Sequence, residues 1–320
     1  MSGKPVLWLP RRVSDSTIAR AHRNYDVIVT ETDMPGTADE IVAMSAKADA
    51  MMPCHSEHFS ADVVARLDPR LKIIANHSVG MDHCDIPALK ARNIVVTNTP
   101  DVLSDATAEL AMLLMLGAAR RVVDGERLVR TGSWDSWSPA FMVGKQVSGS
   151  RLGIVGMGRV GRAFAAKARG FDMEIHYYNR SRLPEGLEKG AVFHETIESL
   201  LPVSDFLSLH CPATPDTVDL MNSRRFGLLP DGAVFVNSAR GALVDETALL
   251  EAIGSGKLAG AGLDCFKTEP GGNPAFAEFN NIFMLPHIGS ATAKTRDAMG
   301  FRALDNLDAF FAGETPRDAF

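Results

Sequence analysis

Cysteine is scarce in this chain, and no apolar run is long enough to cross a bilayer. The four cysteines among 320 residues are widely scattered and form no CxxC pair, which argues against a disulfide framework and a thiolate metal site. The first residues show no basic segment followed by an apolar one, so we expect no secretory signal. These absences together predict a soluble, cytoplasmic protein without a metal site.

A strong excess of one charge is also missing. The formal net charge is −6 at pH 7, which gives no reason to expect a nucleic acid as partner. Apolar residues make up 46% of the chain and charged residues 22%, a composition typical of globular proteins. At 320 residues the chain is long enough for two domains of ordinary size.

The strongest local motif is G-x-G-x-x-G, formed by Gly156, Gly158 and Gly161. A β-branched run precedes it and a helix-forming run follows, so strand, tight turn and helix succeed one another. The start of such a helix binds the pyrophosphate of a dinucleotide. The alternative is an ordinary glycine-rich turn between a strand and a helix. The predicted cofactor contacts in the motif are Gly156, Gly158, Arg159, Val160 and Gly161.

Short β-rich runs alternate with helical patterns on both sides of this motif. The strands predicted before it lie at 6–9, 27–30, 50–52, 73–75 and 94–97, with helices at 14–23, 38–47, 61–67 and 86–92. The strands predicted after it lie at 174–178, 206–209, 233–237, 260–264 and 282–285. A last amphipathic helix is predicted at 290–312.

This alternation is typical of an α/β fold with parallel sheets. We predict two doubly wound domains, in which a Rossmann cofactor domain (100–287) is inserted into a flavodoxin-like substrate domain. The substrate domain would consist of residues 1–99 and of residues 288–320, where the C-terminal helix returns to it.

A long apolar helix is predicted from Ser104 to about Arg120. Because it is apolar all round, we expect it to be buried, most plausibly between the two domains. Trp134 and Trp137 lie in the loop at 131–139, and they either anchor that loop or form a subunit interface or pocket wall. The apolar helix and this loop together favour a homodimer built on the cofactor domain.

The turn after the second strand of the cofactor domain indicates which dinucleotide binds. A carboxylate about 20 residues beyond the glycines usually accepts hydrogen bonds from the adenosine ribose of NAD. Residues 177–184 contain no carboxylate and two arginines, which suit a 2′-phosphate. We therefore predict NADP(H) as the preferred cofactor and NAD as possible, although an exposed basic turn is the alternative. The predicted contacts are Asn179, Arg180, Ser181 and Arg182.

Three ionisable residues, Arg240, Glu269 and His287, lie near the ends of predicted strands in the second half. Ligands of doubly wound sheets bind outside the carboxyl ends of the strands, so these side chains are placed to meet beside the cofactor. A lone histidine is more often structural than catalytic. Together with an arginine and a glutamate, however, it forms a plausible acid/base pair with an anion clamp.

Several segments, taken in order, resemble those of the D-isomer-specific 2-hydroxyacid dehydrogenases, and the match runs nearly end to end. They are 76–83 (NHSVGMDH), 104–109 (SDATAE), the glycine motif, 210–214 (HCPAT), 237–241 (NSARG), 262–264 (GLD) with Glu269 and Pro270, and 286–290 (PHIGS). Within this family the chain is most similar to the glyoxylate/hydroxypyruvate reductases, because of the arginine-bearing turn, the tryptophan loop and the His-Ile-Gly-Ser sequence.

The resemblance implies a role for each matching residue. Arg240 would hold the substrate carboxylate and polarise the 2-oxo group, and His287 would protonate the carbonyl oxygen as hydride arrives. Glu269 would orient His287 and favour its charged form. The backbone N–H groups of Val79 and Gly80 would form a second carboxylate clamp. The cofactor contacts implied elsewhere are Thr107, Pro212, Ser238 and Asp264.

The leading hypothesis is therefore an NADPH-dependent reductase of glyoxylate or hydroxypyruvate. A second possibility is an NAD-linked D-lactate, D-glycerate or phosphoglycerate dehydrogenase, against which the arginine turn counts. A third is a non-catalytic NAD(P)-sensing protein, since transcriptional corepressors share this fold. Because all three candidate catalytic residues are present, the sequence gives no reason to suspect a loss of catalytic activity. Corepressors can retain these residues as well.

Overall fold

A computed structural model describes residues 3–32 and 34–320, which form two compact units. One unit comprises Met1–Leu103 and Ser290–Phe320, and the other comprises Ser104–Gly289. The boundaries thus lie at 103 and 289, where the sequence predicted 99 and 287. Within the described ranges, no helix combines the length and the apolar character needed to cross a membrane.

The described residues form the following strands and helices. The strands are β1 (Val6–Leu9), β2 (Asp26–Val29), β3 (Ala50–Met51), β4 (Ile73–Ala75), β5 (Val95–Thr97), β6 (Arg151–Val155), β7 (Glu174–Tyr178), β8 (Val192–His194), β9 (Phe206–Leu209), β10 (Ala233–Asn237), β11 (Leu258–Leu263) and β12 (Ile282–Met284). The helices are α1 (Asp15–Asn24), α2 (Ala38–Ser45), α3 (Ala61–Arg66), α4 (Ile86–Ala91), α5 (Ser104–Ala119), α6 (Val122–Arg130), α7 (Arg159–Ala168), α8 (Glu185–Glu188), α9 (Ile197–Leu200), α10 (Ser223–Leu228), α11 (Glu246–Gly254) and α12 (Ala293–Phe311).

The first unit has a parallel five-stranded sheet in the order β2-β1-β3-β4-β5, which is the flavodoxin-like order. Side-chain oxygens of Ser14, Thr37 and Ser60 cap the starts of three of its helices. Helix α12 belongs to this unit and places Leu304 and Leu307 in the same core as Leu7 and Leu9 of β1. The first unit is therefore discontinuous in sequence.

The second unit has a parallel seven-stranded sheet in the order β12-β11-β10-β9-β6-β7-β8. Counted from β6, its first six strands follow the Rossmann order 3-2-1-4-5-6, so the predicted fold class is confirmed. The edge strand β8 was not predicted, because it is only three residues long and its apolar residue Val192 is exposed. The boundaries of the predicted strands and helices otherwise differ by at most three residues, as at the start of α12.

The apolar helix α5 packs on α7, β10 and β11 of its own unit. Ten of its 16 residues are buried, whereas Leu113 is 47% exposed, so the expectation of a helix buried all round is wrong. Asp105, Glu109 and Leu113, spaced four residues apart, form an exposed line along one side of α5. Arg121 adopts a left-handed backbone conformation after α5, and the separate helix α6 follows, which was not predicted.

Candidate active site

The carboxyl ends of three neighbouring strands define one end of the candidate site. Asn237 of β10 lies beside Leu263 of β11, and Leu263 lies beside Met284 of β12. Residues that follow these ends must therefore emerge at the same edge of the sheet, as in other doubly wound sheets. The side chains placed there are Arg240, Asp264 and His287.

His287 and Glu269 form a direct pair. The His287 Nδ1 atom lies 2.6 Å from Oε2 of Glu269, and the two side chains are 28% and 23% exposed. The other carboxylate oxygen of Glu269 accepts the N–H of Phe266 at 2.8 Å. Glu269 is thus held from both sides, and it selects the His287 tautomer in which Nδ1 has the proton.

The backbone around His287 is held by a buried carboxylate. His287 has a φ of 53°, a conformation that is unfavourable for a non-glycine residue and is often found at functional sites. The two oxygens of Asp264 accept the N–H groups of Ile288 and Gly289, each at 2.8 Å. Burial raises the pKa of Asp264 to about 6, against the opposing effect of the Ile288 N–H bond. Asp264 therefore positions the loop that presents His287.

The turn that presents Arg240 depends on Asn237, which is almost completely buried. The Asn237 side-chain amide donates to the Arg240 carbonyl at 2.8 Å, and its oxygen accepts the Ala239 N–H at 3.1 Å. The Arg240 Nη1 atom donates to the Ala239 carbonyl at 2.8 Å. Sequence reasoning missed this role, although an asparagine directly after a strand is typical of a side chain that shapes a turn.

The glycine motif joins β6 to α7. Gly158 precedes the first turn of α7, which no side chain caps, so its N–H groups are available to an anion. Gly156 has a φ of 98°, and a Cβ atom there would lie 2.6 Å from the Cys211 nitrogen. A Cβ atom at Gly161 would lie 2.3 Å from the Gly156 carbonyl. Larger residues at either position would displace the loop from the helix or from β9.

Asn179 directly follows β7 and supports the glycine motif from the side. Its Oδ1 atom accepts the Met157 N–H at 2.7 Å. This bond holds Met157, in the middle of the glycine motif, against the end of β7. The contact with the adenosine ribose was predicted at this same end. Asn179 therefore has a structural partner in addition to any contact with a cofactor.

The two arginines beyond Asn179 have different surroundings. Arg180 is exposed, as is Ser181. Arg182 donates from Nε and Nη2 to the two carboxylate oxygens of Glu188, at 2.9 and 3.0 Å. Sequence reasoning missed Glu188 because the segment searched for a carboxylate ended at Pro184. The available signal was the spacing itself: a glutamate lies six positions after the arginine, at the end of a short helix, and could have been predicted to pair with it.

The other predicted cofactor contacts lie near the same edge of the sheet. Ser238 follows β10, and its Oγ atom is buried without a hydrogen-bond partner in the part of the chain that the structure describes. Thr107 is 8% exposed and lies beside Gly289, and Pro212 is exposed after β9. An unsatisfied buried hydroxyl and an uncapped helix start fit a bound dinucleotide.

Val79 and Gly80 belong to the first unit and follow β4. Their carbonyl groups accept hydrogen bonds from the side chains of Asn98 and Ser78, both at 2.9 Å. Among residues 3–32 and 34–320, no hydrogen bond from either N–H group is found. These N–H groups are therefore suited to an anionic ligand, as the resemblance implied.

Comparison with known proteins identifies the family. The model of the D-isomer specific 2-hydroxyacid dehydrogenase NAD binding domain matches residues 112–289. A glycerate dehydrogenase of Hyphomicrobium methylovorum is 41% identical over 98% of this chain and 98% of its own length. A glyoxylate reductase of Thermococcus litoralis is 38% identical over 98% and 96%. This chain belongs to the D-isomer-specific 2-hydroxyacid dehydrogenase family.

A solved structure of the same family supports the fold of this 2-hydroxyacid dehydrogenase. The NADPH-dependent glyoxylate/hydroxypyruvate reductase of Sinorhizobium meliloti, in complex with NADP and malonate, superposes with a TM-score of 0.87 at 31% identity. The match covers 99% of this chain and 97% of that chain. The protein is thus an oxidoreductase with an NAD-binding domain, and the family predicted from the sequence is confirmed.

Proposed function

We propose that this enzyme reduces glyoxylate or hydroxypyruvate to the corresponding 2-hydroxy acid with NADPH. The observation that supports the chemistry most directly is the His287–Glu269 contact of 2.6 Å at the edge of the sheet where Arg240 also emerges. Bound NADPH supplies the hydride. The names of the glyoxylate reductase and hydroxypyruvate reductase relatives support the choice of substrate.

The side chains of this protein then have distinct tasks. The guanidinium of Arg240 holds the substrate carboxylate through paired hydrogen bonds and polarises the 2-oxo group. With Nδ1 of His287 directed to Glu269, Nε2 is the atom that donates a proton to the carbonyl oxygen. Glu269 stabilises the imidazolium before that transfer. The N–H groups of Val79 and Gly80 serve as the second contact for the carboxylate.

The residues proposed to hold the cofactor lie near the same edge of the sheet. The first turn of α7 binds the pyrophosphate, while Thr107, Pro212, Ser238 and Asp264 line the nicotinamide side. Arg180 and Ser181, with Arg182 beside them, face the adenosine ribose. The lack of a carboxylate in residues 177–184 supports a preference for NADPH, and the S. meliloti relative is described with NADP.

An NAD-linked D-glycerate dehydrogenase is the second candidate. Two observations favour it: Glu188 neutralises one of the two arginines of the turn, and one relative is a glycerate dehydrogenase. The same three catalytic residues would serve both directions of the reaction.

Initial rates with NADPH and NADH distinguish these functions. The substrates are glyoxylate, hydroxypyruvate, pyruvate and phenylpyruvate for reduction, and D-glycerate for oxidation. We expect the highest kcat/KM with NADPH and either glyoxylate or hydroxypyruvate. A higher value with NADH would favour the second candidate. Turnover of none of these substrates, combined with cofactor binding, would favour the non-catalytic sensor.

We also propose a homodimer built on the cofactor domain. Trp134 and Trp137 are 55% and 71% exposed, so neither anchors its loop by burial. Val129 and Val143, which flank this loop in the sequence, are each 65% exposed, and exposed apolar side chains are typical of an interface. Light scattering at micromolar concentration should give the mass of a dimer, and a monomer mass would contradict this proposal.

We also propose that the protein is located in the cytoplasm. All four cysteines are free thiols, and Cys84 and Cys265 are buried. Burial raises the pKa of Cys84 to about 12, which keeps it in the unreactive thiol form. Unpaired cysteines are typical of a reducing compartment.

A further inference from the structure

Glu188 is a buried carboxylate next to the turn at which the adenosine ribose is expected. It ends the short helix α8 and is only 4% exposed, although the other residues of that helix are exposed. Its Oε1 atom accepts the Tyr177 hydroxyl at 2.5 Å and Arg182 Nε at 2.9 Å. Its Oε2 atom accepts Arg182 Nη2 at 3.0 Å. A carboxylate with this many donors is strongly fixed in position.

The same contacts fix the shape of the turn. The Tyr177 ring is fully buried, and its hydroxyl accepts the Leu183 N–H at 3.0 Å. Arg169 donates to the Glu188 carbonyl at 2.9 Å. The bond from Arg182, followed by that from Tyr177, lowers the pKa of Glu188, so this carboxylate is ionised near neutral pH.

As a result, a carboxylate balances the charge of one arginine of the turn and not that of the other. The guanidinium of Arg182 and the carboxylate of Glu188 cancel each other. Arg180 forms no ion pair in the described part of the chain, so it is the uncompensated cation of the turn. Sites selective for NAD place a carboxylate near the ribose, which repels a 2′-phosphate. Glu188 brings a carboxylate to the same turn from a later helix, through its pair with Arg182.

We propose that Glu188 is a specificity-determining residue for the cofactor: by neutralising Arg182 it limits how strongly the site prefers a 2′-phosphorylated adenosine. Arg180 then supplies most of the attraction for the phosphate. This inference rests on the cofactor site proposed above. It assigns the selectivity of that site to the net charge of a three-residue group, Arg180, Arg182 and Glu188.

The first test is the substitution Glu188→Gln in the full-length protein. Glutamine retains an oxygen for the Tyr177 hydroxyl and for Arg182 but removes the charge. Calorimetry with adenosine 2′,5′-bisphosphate and with 5′-AMP measures the phosphate contribution without catalysis. We expect the dissociation constant of the bisphosphate to fall about three- to tenfold and that of 5′-AMP to stay unchanged. An unchanged or weaker affinity for the bisphosphate would overturn the inference.

A double-substitution cycle tests whether charge or direct contact is responsible. Arg182→Ala leaves Glu188 uncompensated and should weaken bisphosphate binding severalfold. The double variant Arg182→Ala/Glu188→Gln restores the net charge and should bind within about twofold of the original protein if the effects add. If Arg182 instead contacts the phosphate directly, the double variant will bind as weakly as Arg182→Ala, and the inference is wrong.

Two further variants distinguish failure of the Glu188 role from failure of the phosphate site. Glu185→Gln removes a charge from the same helix that acts on Arg182 without a hydrogen bond, so it should change the bisphosphate affinity much less than Glu188→Gln does, and thermal unfolding of every variant verifies that the fold persists. Arg180→Ala tests the proposed cofactor site itself. If Arg180→Ala does not change the ratio of the two affinities, the phosphate site is absent and the NADPH preference fails. If it lowers bisphosphate affinity while Glu188→Gln has no effect, only the role of Glu188 is refuted.

Discussion

Two regions at the carboxyl edge of the seven-stranded sheet are built in different ways. The catalytic corner comprises Arg240, Asp264, Glu269 and His287, and the contacts that hold His287 and the two residues after it join positions 18 to 25 apart. The ribose turn comprises residues 179–182, and its arginine pairs with a glutamate six positions later. The register of three strands brings the corner together, whereas in the turn, among the described residues, only Asn179 has a distant partner, Met157, and Arg182 pairs locally.

This difference teaches where each property of the enzyme is determined. In the proposed function the catalytic corner determines the chemistry, because a misplaced proton donor would affect every substrate and both cofactors alike. The proposal makes the ribose turn determine the choice between cofactors, because only NADPH has a 2′-phosphate to contact. Substitutions in the two regions should therefore have different kinetic signatures.

The largest effect is expected from His287→Asn in the catalytic corner. Loss of the proton donor should lower kcat roughly 10²–10⁴-fold, the usual range for general acid catalysis. Steady-state kinetics measures kcat, and calorimetric titration measures the affinity for the cofactor. An equally large loss of cofactor affinity would mean that His287 holds the cofactor and does not donate the proton.

Arg240→Lys should have the next largest effect. A lysine ammonium cannot reproduce the paired hydrogen bonds of a guanidinium, so KM should rise and kcat should fall, together by roughly ten- to a thousandfold in kcat/KM. Arg224→Lys, at an exposed arginine paired with Glu198, is the matched control and should behave like the original protein. Unchanged kinetics in Arg240→Lys would remove this residue from the site.

In the ribose turn, the double variant Arg180→Ala/Arg182→Ala should change cofactor choice only. The kcat/KM for NADPH should fall by on the order of ten- to a hundredfold, since a charge-assisted contact to phosphate contributes about 1.5–3 kcal/mol. The value for NADH should stay nearly unchanged. Lys189→Ala, a neighbouring exposed cation, serves as control. An equal effect on both cofactors would show that the turn shapes the site without contacting the phosphate.

The smallest effect concerns His210, which follows β9 and lies next to the glycine motif. Burial lowers the pKa of His210 to about 3, whereas a histidine of the unfolded chain titrates near 6.5. Between these values only the unfolded state binds the proton, so the stability contributed by neutral His210 is complete above pH 6.5 and is lost as the pH falls toward 3.

His210→Gln keeps a partner for the Ser208 hydroxyl, which now lies 2.9 Å from the His210 Nε2 atom. Between pH 7 and pH 5, the original protein should lose about 1–2 kcal/mol more unfolding free energy than the variant. Urea unfolding at pH 5, 6 and 7 measures this difference. Parallel pH profiles for the two proteins would show that His210 is not the group responsible.

Sequence patterns predicted much of the catalytic corner. Arg240 and His287 were placed at one sheet edge because alternating strands and helices imply a parallel sheet, whose carboxyl ends face the same way. The hydrogen bonds by which Asn237 and Asp264 position this corner were not predicted. Their hydrogen bonds to the turn of Arg240 and to the loop of His287 depend on which backbone groups approach them, and no local pattern specifies that.

The sequence by itself determined the order of most strands and helices, the family, the glycine motif and the pair of residues proposed to be catalytic. Periodicity and glycine spacing are local properties, so they are visible in the order of residues. Only the tertiary structure decided that α5 leaves Leu113 exposed, that β8 forms an edge strand, and that Glu188 neutralises Arg182. Each of these depends on which surfaces meet when the chain packs, and burial and charge pairing are consequences of that packing.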